Sequence, residues 1–333
     1  MALHTLVSLS LLVWSSFAFG QARTITVYTY DSLAAKHSFG KYFAAELEKT
    51  TGITTKLVSF STIAEAMQQL KVEGTKTKAD ILWGFDGLLL EKAEPLLEKL
   101  ETKLLERVPE GIRFDSAKAV PFDYGYLAFI YDSRRTKAAT GKKFTEWVKD
   151  PSLVKKVIIQ DPRTSSLGQS LLGWVGSLVP KEQYFDFWKG FAPLLVTVAP
   201  GWSSAYGAFL KKESDYVLSY TTSPAYHAIE EKNDAFKAVI FEDGHFRQTE
   251  GVGIVKSSSL KTLAREWIEA LLSDKYQTAL ATRQWMYPAV PVALPPAFEK
   301  LPRVKETPRL AKTALEENRS YWTSQWTKAL SLP

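Results

Sequence analysis

The order in which strand-like and helix-like stretches succeed one another constrains this chain more than any other feature. The run TITVYTY at 24–30 is rich in β-branched and aromatic residues and alternates small with large side chains. Phe39, Phe43 and Leu47 then recur at four-residue spacing, and Gly52 marks the end of that helix. The pattern predicts a second strand at 53–60, a helix at 63–72, a third strand at 79–85 and a third helix at 88–100 despite Pro95. Alternation at these lengths means βαβ units around a largely parallel sheet. No Gly-x-Gly-x-x-Gly follows the first strand, so the dinucleotide-binding fingerprint is missing.

The pattern changes at 120–132, VPFDYGYLAFIYD, an aromatic strand with a proline at its start, which reads as a crossing into a second lobe. There the alternation resumes, with strands expected at 156–160, 194–198 and 216–220 and helices at 166–178, 203–211 and 224–232. Two runs, 238–241 and 251–255, flank a polar turn that suits the return crossing. Helices are expected at 262–272 and from 308 onward, with a proline-rich irregular segment at 289–302. The expected architecture is an α/β clamshell of two lobes, 21–118 with 242–288 and 119–241 with 289–333, hinged by the crossing strands. Ligands of open α/β sheets sit at the carboxyl ends of the strands, here the cleft between the lobes, and closure of the lobes would be the working motion.

Residues 1–20 stand apart. They contain no Lys, Arg, Asp or Glu, are apolar from Leu3 to Trp14, and end in Ala18-Phe19-Gly20. That reads as a secretory leader cleaved near Gly20, too short to span a bilayer, in which only His4 could carry a charge. The chain has no cysteine, which excludes disulfides, thiolate nucleophiles and Cys-ligated metal sites. The net charge of +6 is dispersed, with Lys-Lys pairs at 142–143, 155–156 and 211–212 set among acidic and apolar residues. No basic stripe interleaved with aromatics exists, so nucleic acid is not an expected partner.

Candidate chemistry concentrates at expected strand ends: Tyr30-Asp31-Ser32, Asp86, and Asp161 to Ser166. The last joins a strand to a helix, and a helix N-terminus bearing Ser and Thr hydroxyls can hold an anion; simple capping by Ser165 or Ser166 explains the same residues equally well. The densest feature is GWSSAYGAFLKKESDYVLSYTTSPAYH at 201–227, in which Trp202, Tyr206, Phe209, Tyr216, Tyr220 and Tyr226 lie among small hydroxyl residues. Trp285-Met286-Tyr287-Pro288 adds another aromatic pair. Flat rings and hydroxyls suit stacking on a planar, cationic organic ligand, and an aromatic core is an equal reading of the segment alone. Catalytic patterns are missing: His4, His37, His227 and His245 have no metal-ligand spacing, and Ser203 and Ser223 lack the Gly-x-Ser-x-Gly elbow.

The motifs TVYTYDS (26–32), KADILWGFD (78–86), VPFDYGYLAFIYD (120–132), QDPRTSS (160–166), the 201–227 segment and QWMYP (284–288) closely resemble those of the periplasmic thiamine-binding proteins of bacterial ABC importers. The resemblance implies a type II periplasmic-binding-protein fold, and capture of thiamine or its mono- and diphosphate for delivery to a permease and an ATPase. It also implies an exported, monomeric protein that is not an enzyme and needs no cofactor. By the same resemblance Tyr30, Trp202, Tyr220, Tyr226 and Trp285 line the ligand cleft, and Thr164, Ser165 and Ser166 take its hydroxyethyl or phosphate end. Two departures stand out. Phe60-Ser61-Thr62-Ile63 replaces an acidic turn that in the family contacts the pyrimidine side, and Phe85-Asp86-Gly87 stands where Asp-Asn is familiar.

Three rivals remain on the same fold. A ferric-ion binder of this type uses two adjacent tyrosines, and the chain has no Tyr-Tyr pair. A binder of another organic cation, such as a polyamine, would use a similar aromatic box. A thiamine-degrading enzyme of the thiaminase I type needs a cysteine nucleophile that this chain lacks.

Overall fold

The computed structural model describes residues 23–137, 142–308, 310 and 312–331; the expected leader and its cleavage site lie outside them. In chain order the strands are β1 (Thr24–Tyr30), β2 (Thr54–Phe60), β3 (Ile81–Asp86), β4 (Val120–Asp132) and β5 (Val157–Gln160). They continue with β6 (Leu195–Ala199), β7 (Tyr216–Tyr220), β8 (Phe236–Ala238), β9 (Arg247–Ile254) and β10 (Tyr287–Pro288). Their hydrogen-bonded order is β2-β1-β3-β9-β4-β7-β5-β6, with β8 and β10 also paired to β4.

The path changes partners within β4. Its first half, up to Tyr126, pairs antiparallel with β9, whereas Leu127 to Tyr131 pair with β7. On one side β1 runs parallel to β2 and β3; on the other β5 runs parallel to β6 and β7. This is the expected two-lobed α/β clamshell with a crossing strand. The chain returns just before β9, where Val239 N–H bonds Phe129 O and Leu127 N–H bonds Phe246 O.

Local sequence explains the helices that face the strands. The helix Phe39–Thr51 is capped by the Ser38 hydroxyl, buries Phe39, Phe43 and Leu47, and ends on Gly52 in the left-handed region at φ 71°. The helix expected at 88–100 does not form in full. It is one turn, Leu90–Ala93, followed by the tight turn Glu94–Leu96, after which Leu97 bridges to Val255. Pro95 lacks the N–H that a continuing helix requires. Two helices that the pattern passed over, Tyr184–Phe191 and Asp274–Ala281, also form.

Each lobe has its own aromatic core. In the first, Trp267 meets Phe43 at 4.8 Å and 90° and Trp83 at 5.0 Å and 84°, the edge-to-face geometry that ring quadrupoles favour. Ala289 and Val290 pack into this core after β10. In the second, Phe129, Phe144, Trp147, Trp174 and Phe241 interlock, and the helix Lys312–Leu330 covers them with Trp322 and Trp326. Burying each such side chain contributes about 1.5–3 kcal/mol.

Candidate functional site

The carboxyl ends of β1 and β7, together with helix starts from both lobes, enclose a cavity of about 490 Å³. Tyr30, Ser165, Ser166, Trp202, Tyr220, Tyr226 and Trp285 all line it. Thr164 does not: it is exposed and its hydroxyl donates to Pro200 O at 2.8 Å.

Backbone features place the rings. Tyr30 is the last residue of β1, and its ring lies against Gly84 of β3, where a Cβ would stand 2.3 Å from the tyrosine's Cε1. Gly84 also has φ +100°, so no side chain fits there on either count. Tyr220 ends β7 opposite Leu127, at the point where β4 changes partners. Trp202 is the first residue of the helix Trp202–Leu210 and is 37% exposed. Its ring stacks on Tyr206 at 4.9 Å and 20°, and its indole N–H donates to Ser219 Oγ at 2.8 Å. Ser219 in turn pairs with Ser223, and Tyr206 with His227, whose other ring nitrogen meets Glu231 at 2.8 Å. Trp202 is thus held at its edge and back while one face stays available. Tyr226, inside the helix Ser223–Glu230, meets Trp285 at 5.2 Å and 83°. Trp285 itself has φ +62°, an uncommon conformation for a bulky residue that costs on the order of 1–3 kcal/mol.

At the polar end, Ser165 is the N-cap of the helix Ser166–Leu178 and accepts from Gly168 N–H at 3.4 Å. The capping reading and the cavity reading therefore both apply to Ser165, while Ser166 begins the helix and faces the cavity. The positive end of the helix macrodipole points at the same space.

The cavity floor carries a buried acid, Glu250, that the sequence reasoning missed. Glu250 lines it, and strand register puts Asp86 of β3 and Asp123 of β4 on either side of Glu250. All three are buried. Irregularities in both flanking ladders, at Trp83/Phe85 and Pro121/Asp123, sit beside this row, as bulges often do where side chains must be re-aimed. Glu250 accepts from the Tyr30 hydroxyl at 2.9 Å, and Gln284 donates to that hydroxyl at 2.9 Å. Tyr220 donates to Gln248, whose amide bonds Asp86 at 3.0 Å. Burial pushes Asp86 up to about 6 and holds Asp123 and Glu250 above the ordinary carboxylate range, with their mutual repulsion adding to the effect on Asp123. Burial and the neighbouring acids also push the Tyr30 and Tyr220 hydroxyls up, so both remain protonated donors. The signal was present in the sequence: Asp123 interrupts the aromatic strand VPFDYGYLAFIYD, and Glu250 directly precedes the Gly-Val-Gly-Ile end of RQTEGVGI. At the cavity mouth, Ser203 reaches across to Asp31 at 3.4 Å.

Such a cavity can stack a flat ligand, favour a positive charge and hydrogen-bond an anionic or hydroxyl group at its far end. Among the described residues no cluster of three or more His, Asp or Glu is arranged to hold a metal ion, and no helix is long and apolar enough to cross a membrane.

Comparison with known proteins agrees with this geometry. Residues 76–312 match the family of bacterial extracellular solute-binding proteins. The thiamine-binding periplasmic protein of Salmonella typhimurium (strain LT2) is 40% identical over 316 residues, covering 92% of this chain and 93% of that one. A solved periplasmic thiamin binding protein superposes with a TM-score of 0.87 at 38% identity, covering 93% of this chain and 96% of its own. The apo ferric ion-binding protein A of Pasteurella haemolytica shares the fold alone, at a TM-score of 0.78 and 19% identity over 92% of this chain and 98% of its own.

Proposed function

Since the chain belongs to the family of bacterial extracellular solute-binding proteins, we propose that it captures thiamine in the periplasm and releases it to the permease and ATPase of an ABC importer. Thiamine monophosphate and diphosphate are further ligands in this reading, and the protein acts as a monomer without catalysing a reaction. The observation that carries the proposal is one cavity in which Tyr30, Trp202, Tyr220, Tyr226 and Trp285 are grouped around the buried acid Glu250. Thiamine has a thiazolium cation and a planar aminopyrimidine, and aromatic faces attract such a cation by about 0.5–2 kcal/mol each. Glu250 supplies the acidic group that the turn at Ser61-Thr62 does not.

Ser165 and Ser166, with the backbone N–H groups of their helix, take the hydroxyethyl or phosphate end, and Thr164 supports the turn from outside through Pro200. The lobes that close on the ligand are 21–118 with 242–288 and 119–241 with 289–333, their last junction falling after β10 where Ala289 and Val290 still pack on the first core. The leader is removed near Gly20, so mass spectrometry of the exported protein should give a terminus near Gln21 rather than Met1.

Calorimetric titration with thiamine, its phosphates, spermidine and ferric citrate tests the reading. Thiamine binding with no heat from ferric citrate is the expected result. Preference for spermidine would move the assignment to another organic cation. Incubation with thiamine and aniline should yield no pyrimidine adduct.

A further inference from the structure

The acid pair beneath Tyr30 is the part of the site that the aromatic clamp leaves unexplained. Glu250 forms part of the cavity floor, and Asp123 occupies the paired position on β4 behind it. Neither oxygen of Asp123 meets an N–H or O–H donor among the described residues. The group that Asp123 faces within hydrogen-bonding reach is the Glu250 carboxyl. Two carboxylate oxygens are both acceptors, so in a dry space only a proton between them can join them.

We propose that in the empty cleft Asp123 and Glu250 hold one proton between them, and that entry of a cationic ligand expels it to solvent. Glu250 is then the residue that separates a cation from a neutral ring of the same shape. The inference rests on the thiamine reading, because it needs a ligand with a fixed positive charge. The step is an ionisation: the carboxyl O–H bond breaks, its electron pair stays on oxygen, and the proton passes to water and buffer. The pair gains a negative charge as the ligand brings its positive one, so the net charge of the buried site is the same with and without the ligand.

The groups around the pair favour this exchange. From β1 and β7, the Tyr30 and Tyr220 hydroxyls remain neutral donors. From β3, Asp86 adds negative charge beside Glu250, tempered by the charge of Arg319. Asp31, His37 and Arg283 lie at the exposed mouth. Burial is the leading cause of the upward shift on both acids, so the proton is retained near neutral pH until a cation arrives. The sign follows from linkage. The ligand prefers the deprotonated pair, so affinity rises with pH through the pair's second ionisation, by up to about tenfold per pH unit.

The test is calorimetry of thiamine binding at pH 7 in phosphate and in Tris, buffers with different ionisation enthalpies. The difference in observed heat gives the protons released, and a value approaching about one per thiamine is expected. Glu250→Gln should bring that number to zero and weaken thiamine more than a neutral analogue whose ring nitrogen cation is replaced by carbon. Asp123→Asn, with its melting curve, serves as the second variant should Glu250→Gln not fold, and should likewise abolish release. Tight thiamine binding with equal heats in the two buffers overturns this inference and leaves the thiamine reading standing. Failure of thiamine to bind at all overturns both.

Discussion

Trp83 and Trp202 are the same residue type put to opposite uses. Trp83 lies at the centre of the first lobe, fully buried, with Phe39, Phe43, Phe122 and Trp267 all meeting its ring at steep angles. Its indole N–H has no hydrogen-bond partner among the described residues, and ring packing surrounds it. Trp202 is held differently. One stacked tyrosine and one serine hydroxyl fix it, and more than a third of its surface is left open. A core ring is surrounded on all sides; a ligand platform is fastened at its back and edge so that a face stays vacant. Aromatic content alone cannot distinguish these uses, because the distinction lies in what contacts each face.

The comparison can be broken by deletion. The largest effect should come from Trp83→Ala, which leaves a cavity among interlocked rings and should cost about 3–5 kcal/mol of stability in a denaturant melt. Protein that remains folded should bind thiamine normally. Trp202→Ala should invert the result. Its melting temperature should change little, its affinity for thiamine should fall by about 1–3 kcal/mol in calorimetry, and the fluorescence change on binding should shrink. A sharp loss of stability with normal binding would make Trp202 a core residue after all.

The smallest effect sharpens the same distinction at the polar end. Replacing Ser165 and Ser166 by Ala should weaken the thiamine phosphates by about 1.5 kcal/mol more than thiamine, the lower range for hydrogen bonds to a charged group. Equal losses for all three ligands would mean that Ser165 and Ser166 only cap their helix.

Much of this was legible in the sequence, for physical reasons. The βαβ alternation and the crossing at 120–132 follow from side-chain periodicity, which local structure must obey. Tyr30, Tyr220 and Trp202 could be placed at strand ends and a helix start because glycines, prolines and caps mark those positions. Glu250 and Asp123 were not found. Neither has a nearby partner along the chain, and their adjacency exists only through the β4–β9 register, which pairs residues 127 positions apart. The break at Pro95 was misjudged because the apolar spacing around it resembles a helix, while the missing N–H ends one.

The exchange of partners within β4 has a mechanical consequence. Residues up to Tyr126 are hydrogen-bonded into one lobe and those from Leu127 into the other, so both jaws are built on a single uninterrupted strand. Twisting that strand swings one jaw against the other while every rung of the ladder stays made, much as a torsion bar stores rotation without parting. The cross-jaw contacts that opening must break include Ser203 to Asp31, Ser170 to Asp86 and the ion pair of Arg319 with Glu91.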